Sequence, residues 1–81
     1  MKQENGSGLR RFCVIAMPSL TYALQGEALL GGAGFPLSVI KLPAGATKKG
    51  CSYGLQVECR RLEEAVRRLE ARGIRHGELI R

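Results

Sequence analysis

The order in which strand-like and helix-like segments follow one another is the feature that most limits the fold of this chain. With 81 residues it forms one domain, and nearly every apolar segment must face one shared core. The patterned segments come in the order strand, helix, strand, strand, helix, strand. Helices that alternate with strands in so small a domain favour two packed layers.

Four segments have the composition of strands. Residues 11–17 are apolar on both faces, which is typical of a central strand. Residues 36–42 begin with Pro36, a position at which a strand accepts proline. In residues 52–58 the odd-numbered side chains are expected to face the core and the even-numbered ones to be exposed. Residues 77–80 are predicted as a short edge strand.

Two segments are predicted as helices. The first follows Pro18, takes Ser19 or Thr21 as its N-cap, and ends near Leu30, where glycines follow. The second covers residues 60–72 and has Gly73 after it as its C-cap. Its apolar stripe at helical spacing consists of Leu62, Ala65, Val66 and Leu69.

This order of segments predicts an α+β fold of the ferredoxin-like βαββαβ type. In that fold a four-stranded antiparallel sheet carries both helices on one face. Right-handed crossovers place the strands in the order 4-1-3-2. The single domain is expected over residues 10–81, and residues 1–9, which are mostly polar, are predicted as a flexible tail.

The chain is basic, with 13 Lys and Arg against 7 Asp and Glu and a net charge of +6. Such a surplus favours anionic partners, including nucleic acid, phosphates and acidic protein surfaces. Much of it lies in the second predicted helix, however, where arginines are interspersed with glutamates. Those charges are interpreted first as a solvated helix face.

The three cysteines, Cys13, Cys51 and Cys59, cannot all pair within one chain, and none has the two-residue spacing of a zinc knuckle or a thioredoxin-type motif. Reduced thiols in a reducing compartment are therefore predicted, which favours a cytoplasmic protein. No stretch approaches the roughly 20 apolar residues of a membrane span. With one histidine in the chain, neither a metal nor a cofactor is expected.

Cys51 is the thiol that the predicted topology distinguishes. Cys13 is expected as a small core residue, and Cys59 as an unreactive residue at the start of the second helix, at the opposite end of the sheet. Cys51 closes the loop between the second and third strands, at the end where the first helix begins. Lys48 and Lys49 precede it, and both these cations and the helix terminus favour the nucleophilic thiolate.

Two further residues are candidates for a supporting role. His76 falls in the junction after the second helix, at the same end as Cys51, where it could take the proton of the thiol or be a plain surface histidine. Glu27 lies on or beside the apolar stripe of the first helix. An acid within such a stripe indicates a specific partner, whereas an acid at its edge does not.

From Phe12 to about Ile80 the chain resembles the selenium/sulfur carrier-like family of small bacterial and archaeal proteins. The similarity rests on three features. In the first helix, an Ala-Leu pair is followed by an acidic residue and then by a Leu-Leu pair. A proline-containing loop ends at a cysteine with a glycine after it, and the last helix also matches. The matching positions here are Ala23, Leu24, Glu27, Leu29, Leu30, Pro43, Cys51, Gly54 and residues 62–74.

The resemblance implies a carrier that is not itself an enzyme. Cys51 would hold a persulfide or selenopersulfide, received from a donor such as a cysteine desulfurase and passed to an acceptor protein. Lys48 and Lys49 would hold the sulfur anion and steer docking. The alternatives are a small regulatory or ligand-binding module without thiol chemistry and, less favoured, a nucleic-acid-binding module, since the third strand offers no aromatic residue on its exposed face.

Overall fold

A computed structural model of the protein describes residues 11–81, so the predicted tail at residues 1–9 lies outside the described residues. The elements follow the predicted order. They are β1 (Phe12–Met17), α1 (Leu20–Gly32), β2 (Leu37–Lys41), β3 (Tyr53–Glu58), a 3-10 turn (Cys59–Arg61), α2 (Leu62–Ala71) and β4 (Leu79–Ile80). Within residues 11–81 no helix is both long and apolar enough to cross a membrane.

The four strands form one antiparallel sheet in the order β2-β3-β1-β4. Read from the β4 edge, the same order is 4-1-3-2. β1 is central, as its apolar sequence predicts, because it pairs with β3 along its whole length and with β4 at Val14 and Ile15. The α+β class, with four antiparallel strands and two helices, is confirmed, while the finer ferredoxin-like assignment stays a prediction.

Both helices pack on the same face of the sheet. A Cβ atom placed on Gly26 of α1 would lie 2.7 Å from Leu55 of β3, 3.2 Å from Leu69 of α2 and 3.6 Å from Met17 of β1. The absence of a side chain at Gly26 therefore lets α1 approach the sheet and α2 at once. The fully buried side chains of this layer form a single core.

Ser19 caps α1 as predicted, whereas α1 continues past Leu30 to Gly32 with Ala33 as its C-cap, and the C-cap of α2 is Arg72, one residue before the predicted Gly73. Ser19 precedes α1, and its hydroxyl accepts a hydrogen bond from the backbone N–H of Tyr22 at 3.2 Å. After α2 the chain reverses at Gly73, whose φ of +70° is readily adopted only by glycine. The backbone N–H of Ile74 then donates to the carbonyl of Leu69 at 2.9 Å, which closes the helix and directs the following residues towards the end of β1.

Cys13 and Cys59 form a disulfide, so the prediction of three reduced thiols is wrong for this pair. The antiparallel pairing of β1 with β3 is the reason, because it brings the start of β1 beside the end of β3. The backbone N–H of Cys59 donates to the carbonyl of Arg11 at 2.8 Å, and the Cα atoms of the two cysteines are 4.9 Å apart. Cys13 is 3% exposed, as a core residue should be, but it is not a free thiol.

The predicted exposed face of β3 is also wrong in two of its three positions. Gly54 is buried because Val14 of the neighbouring strand covers it, with the Val14 Cγ1 atom 2.6 Å from where a Cβ would stand. Glu58 is 5% exposed, and its carboxylate lies 3.4 Å from the Arg60 Nε atom. Gln56 is half-buried. Strict alternation identified the core face of this strand but not what covers the other face.

The close approach of Val14 to Gly54 generates a stability prediction. Gly54→Ala should lower the free energy of unfolding by about 1–3 kcal/mol, because a branched side chain and the Ile15 carbonyl, 3.3 Å from the added methyl group, leave no room for it. Gly32→Ala is the matched control: nothing lies within 4 Å of the added methyl group, and a helix position gains up to about 1 kcal/mol from alanine. Urea unfolding of both variants measures the difference, and equal stability would contradict this account of Gly54.

Candidate thiol site

Cys51 lies at the wall of an open cleft of about 740 Å³ at one end of the sheet. Three segments distant in sequence form the cleft: the junction between β1 and α1, the end of the β2–β3 loop, and the junction between α2 and β4. The lining residues are Pro18, Lys49, Gly50, Cys51, Glu70, Gly73, Ile74, Arg75, His76 and Gly77. The Cys51 side chain is half-buried, and it is the free cysteine of the chain.

A tight turn over residues 47–51 positions Cys51. The Thr47 hydroxyl accepts a hydrogen bond from the backbone N–H of Cys51 at 2.8 Å, and the Thr47 carbonyl accepts one from Gly50 at 3.3 Å. Thr47 is only 6% exposed, so a buried residue holds this turn in place. Gly50 has a φ of +74°, which a residue with a side chain adopts only under strain.

The same turn is attached to the segment that precedes β4. The backbone N–H of Lys48 donates to a Glu78 carboxylate oxygen at 3.0 Å. Gly77 donates its backbone N–H to the carbonyl of Ala16 at 2.7 Å, and Ala16 donates its own to the carbonyl of Glu78 at 2.8 Å. A Cβ on Gly77 would lie 3.4 Å from the Cys51 Sγ atom, so the bare backbone of Gly77 forms the surface next to the thiol.

His76 enters the cleft with both ring nitrogens engaged. Its Nε2 atom lies 3.0 Å from a Glu70 carboxylate oxygen, and its Nδ1 atom lies 2.9 Å from the carbonyl oxygen of Gly77. Neither oxygen can donate a proton when Glu70 is ionised, so both contacts are hydrogen bonds only if the ring carries a proton on each nitrogen. This arrangement favours the imidazolium cation.

The pKa of His76 is shifted accordingly. Partial burial lowers the pKa, but the hydrogen bond to Glu70, the hydrogen bond to the Gly77 carbonyl and the charge of Glu70 together outweigh it. The net result is a pKa above the usual 6.5 of a histidine. Because both ring nitrogens face oxygen acceptors, neither is free to take the proton of Cys51, which was one of the two roles considered from the sequence.

The structure brings together only some of the residues predicted for the site. Cys51, Lys49 and His76 line the same cleft. Lys48 is exposed beside it and contributes its backbone N–H to the contact with Glu78. Gly54 is buried within the sheet and is not among the residues that line the cleft.

Glu27 is separate from the thiol. It is half-buried on α1 and lines no part of the Cys51 cleft. Within residues 11–81 its carboxylate makes no hydrogen bond or ion pair. The position of Glu27 beside, rather than on, the buried stripe of Ala23, Gly26 and Leu30 agrees with the second of the two sequence interpretations.

Sequence reasoning missed four residues of the site: Thr47, Glu70, Arg75 and Gly77. Thr47 could have been found, because a threonine shortly before a loop glycine often bonds the backbone of its own turn. Glu70 and His76 are six residues apart with a helix end between them, a spacing that carries no local signal. Arg75 and Gly77 come into the cleft only through the pairing of the following segment with β1.

The family model described as "Putative Se/S carrier protein-like" matches residues 12–81 of the chain. The match begins at the first residue of β1 and includes every described strand and helix, the Cys51 loop and the junction that carries His76. Comparison with curated proteins and with solved structures finds no match.

The Glu70–His76 contact generates a pH prediction. Glu70→Gln should lower the pKa of His76, because it removes the negative charge that favours the imidazolium. Since the folded-state pKa is raised, the contact stabilises the fold fully below about pH 6.5, and this contribution disappears as the pH rises through the folded-state value. Glu70→Gln should therefore cost stability at about pH 5.5 and little at about pH 8.

A titration of the His76 ring protons by NMR measures the pKa directly, and urea unfolding at the two pH values measures the stability. Glu63→Gln is the matched control, because it removes one carboxylate from the first turn of the same helix. An unchanged His76 pKa in Glu70→Gln would show that the contact does not hold the ring in its charged form.

Proposed function

We propose that this chain, which belongs to the selenium/sulfur carrier-like family, carries sulfur or selenium on Cys51 between a donor protein and an acceptor protein. One observation supports the proposal above all. Of the three cysteines, two are joined in a disulfide at one end of β1, and the third is a free thiol in an open cleft at the other end, among cationic side chains.

Loading would proceed by sulfur exchange with a persulfide on the donor, for which a cysteine desulfurase is the proposed protein. The Cys51 thiolate attacks the outer sulfur of the donor persulfide, and a new Sγ–S bond forms as the donor S–S bond breaks. The donor leaves as a thiolate. Delivery repeats the step, since an acceptor thiolate attacks the outer sulfur on Cys51 and Cys51 is released as a thiolate.

The residues around Cys51 have roles that fit this chemistry. Thr47 holds the backbone of Cys51, so the thiol keeps its direction when the outer sulfur is exchanged. Lys49, which lines the cleft with Cys51, would stabilise the terminal anion of the persulfide, while His76 is held in the wall of the cleft by Glu70 and the Gly77 carbonyl. Lys48, exposed at the rim, would contact an acidic donor surface.

The open shape of the site favours a carrier over an enzyme. A carrier must present its outer sulfur to two different proteins, and Gly77 adds no side chain beside Sγ. His76 does not provide a general base for catalysis, because both of its ring nitrogens face oxygen acceptors.

A cytoplasmic location is part of this proposal, because desulfurase partners and a reduced Cys51 require a reducing environment. Disulfides are rare in such an environment, but burial protects the one between Cys13 and Cys59. Cys13 is buried and Cys59 is half-buried, so small reductants have little access to the pair.

The proposal is tested by intact mass after incubation with a cysteine desulfurase and cysteine. We expect an adduct of about 32 Da that dithiothreitol removes, since the outer sulfur must be transferable. Cys51→Ser should abolish it. The double variant Cys13→Ser/Cys59→Ser is the matched control and should keep it, because that pair lies at the opposite end of β1 from the cleft.

Two results would contradict the carrier role. An adduct that survives in Cys51→Ser would place the sulfur elsewhere, and no adduct with any desulfurase would favour a ligand-binding module without thiol chemistry. The variant Lys48→Glu should slow loading without lowering the free energy of unfolding, because the Lys48 side chain is exposed.

A further inference from the structure

The cleft carries more positive charge than its acidic residues neutralise. Lys49, Arg75 and His76 all line it, and Glu70 is the acid among the lining residues. The Glu70 carboxylate is engaged by His76 at 3.0 Å. Within residues 11–81 neither Lys49 nor Arg75 has a carboxylate within ion-pair distance, so two cations in the lining of the cleft remain uncompensated.

We propose that this cleft binds a small anionic sulfane-sulfur donor of the thiosulfate type, and that Cys51 takes the outer sulfur from it directly. The inference rests on the proposed function, in that Cys51 is the residue that stores the sulfur. It adds a second source of sulfur, a small molecule, to the protein donor proposed above.

The transfer is balanced without an oxidant or a reductant. The Cys51 thiolate attacks the outer sulfur of thiosulfate, the Sγ–S bond forms, and the bond between the two sulfurs of thiosulfate breaks. The electron pair of that bond leaves with sulfite. The products are one Cys51 persulfide anion and one sulfite dianion, and the total charge is unchanged.

The positive side chains reduce the electrostatic repulsion that opposes this reaction. A thiolate and a thiosulfate dianion repel each other, and a second negative charge grows on sulfite as it leaves. Lys49 and Arg75, which line the cleft with Cys51 and have no carboxylate partner, would bind the oxygens of the sulfonate end. A persulfide on a donor protein carries one negative charge, so its repulsion from the Cys51 thiolate is weaker.

Thiosulfate is the probe that tests the inference. The full chain, with its disulfide intact, is incubated with thiosulfate, and both the mass adduct on Cys51 and the sulfite released are measured. We expect an adduct of about 32 Da and one sulfite for each adduct. Lys49→Gln and Arg75→Gln should each lower the loading rate by about five- to tenfold, and Arg67→Gln, which removes a cation of α2 outside the cleft, should leave it unchanged.

Loading by a cysteine desulfurase is measured in parallel on the same samples, so that a failure of this inference can be distinguished from a failure of the carrier role. Loading by the desulfurase but not by thiosulfate would overturn this inference and leave the carrier role standing, whereas loading by neither would overturn both. Thiosulfate loading that is equal in the wild type, Lys49→Gln and Arg75→Gln would overturn the role of the cleft cations. Circular dichroism of each variant shows that a lost rate does not come from a lost fold.

Discussion

The backbone hydrogen bonds between Ala16 and residues 77 and 78 are the interaction on which the candidate site depends. They join the chain after α2 to the end of β1, at 2.7 and 2.8 Å, and continue into the two pairs of β4. Through them Gly77 comes to rest beside the Cys51 thiol, His76 turns into the cleft, and Glu78 reaches the turn before Cys51. Without this edge, Cys51 would be a loop cysteine with two lysines and no cleft.

The two ends of β1 have different chemistry because the central strand is paired on both sides. At its start, the pairing with β3 brings Cys13 to Cys59, and their thiols are consumed in a disulfide. At its end, the pairing with the β4 segment leaves Cys51 free among Lys49, Arg75 and His76. Two of the cysteines are thus joined in a disulfide, and the third is a free thiol.

Much of this arrangement was predictable from the sequence. The periodicity of the second helix, the apolar first strand and the caps at Ser19 and Gly73 predicted the elements within a few residues. The topology that follows from their order placed the Cys51 loop, the start of α1 and the end of α2 at one end of the sheet.

The disulfide was missed because each cysteine was interpreted from its own segment, whereas the register of β1 against β3 decides which side chains meet. The raised pKa of His76 was missed because it depends on an oxygen from Glu70 and another from Gly77, which come together only through tertiary contacts.

Alkylation of the unreduced protein with iodoacetamide, followed by peptide mass mapping, tests the central claim most directly. That claim is that Cys51 is the one thiol available for exchange, with Cys13 and Cys59 joined to each other. We expect one alkyl group for each chain, all of it on Cys51, and two further groups on Cys13 and Cys59 only after reduction and unfolding. Alkylation of Cys13 or Cys59 before reduction, or an unreactive Cys51, would contradict it.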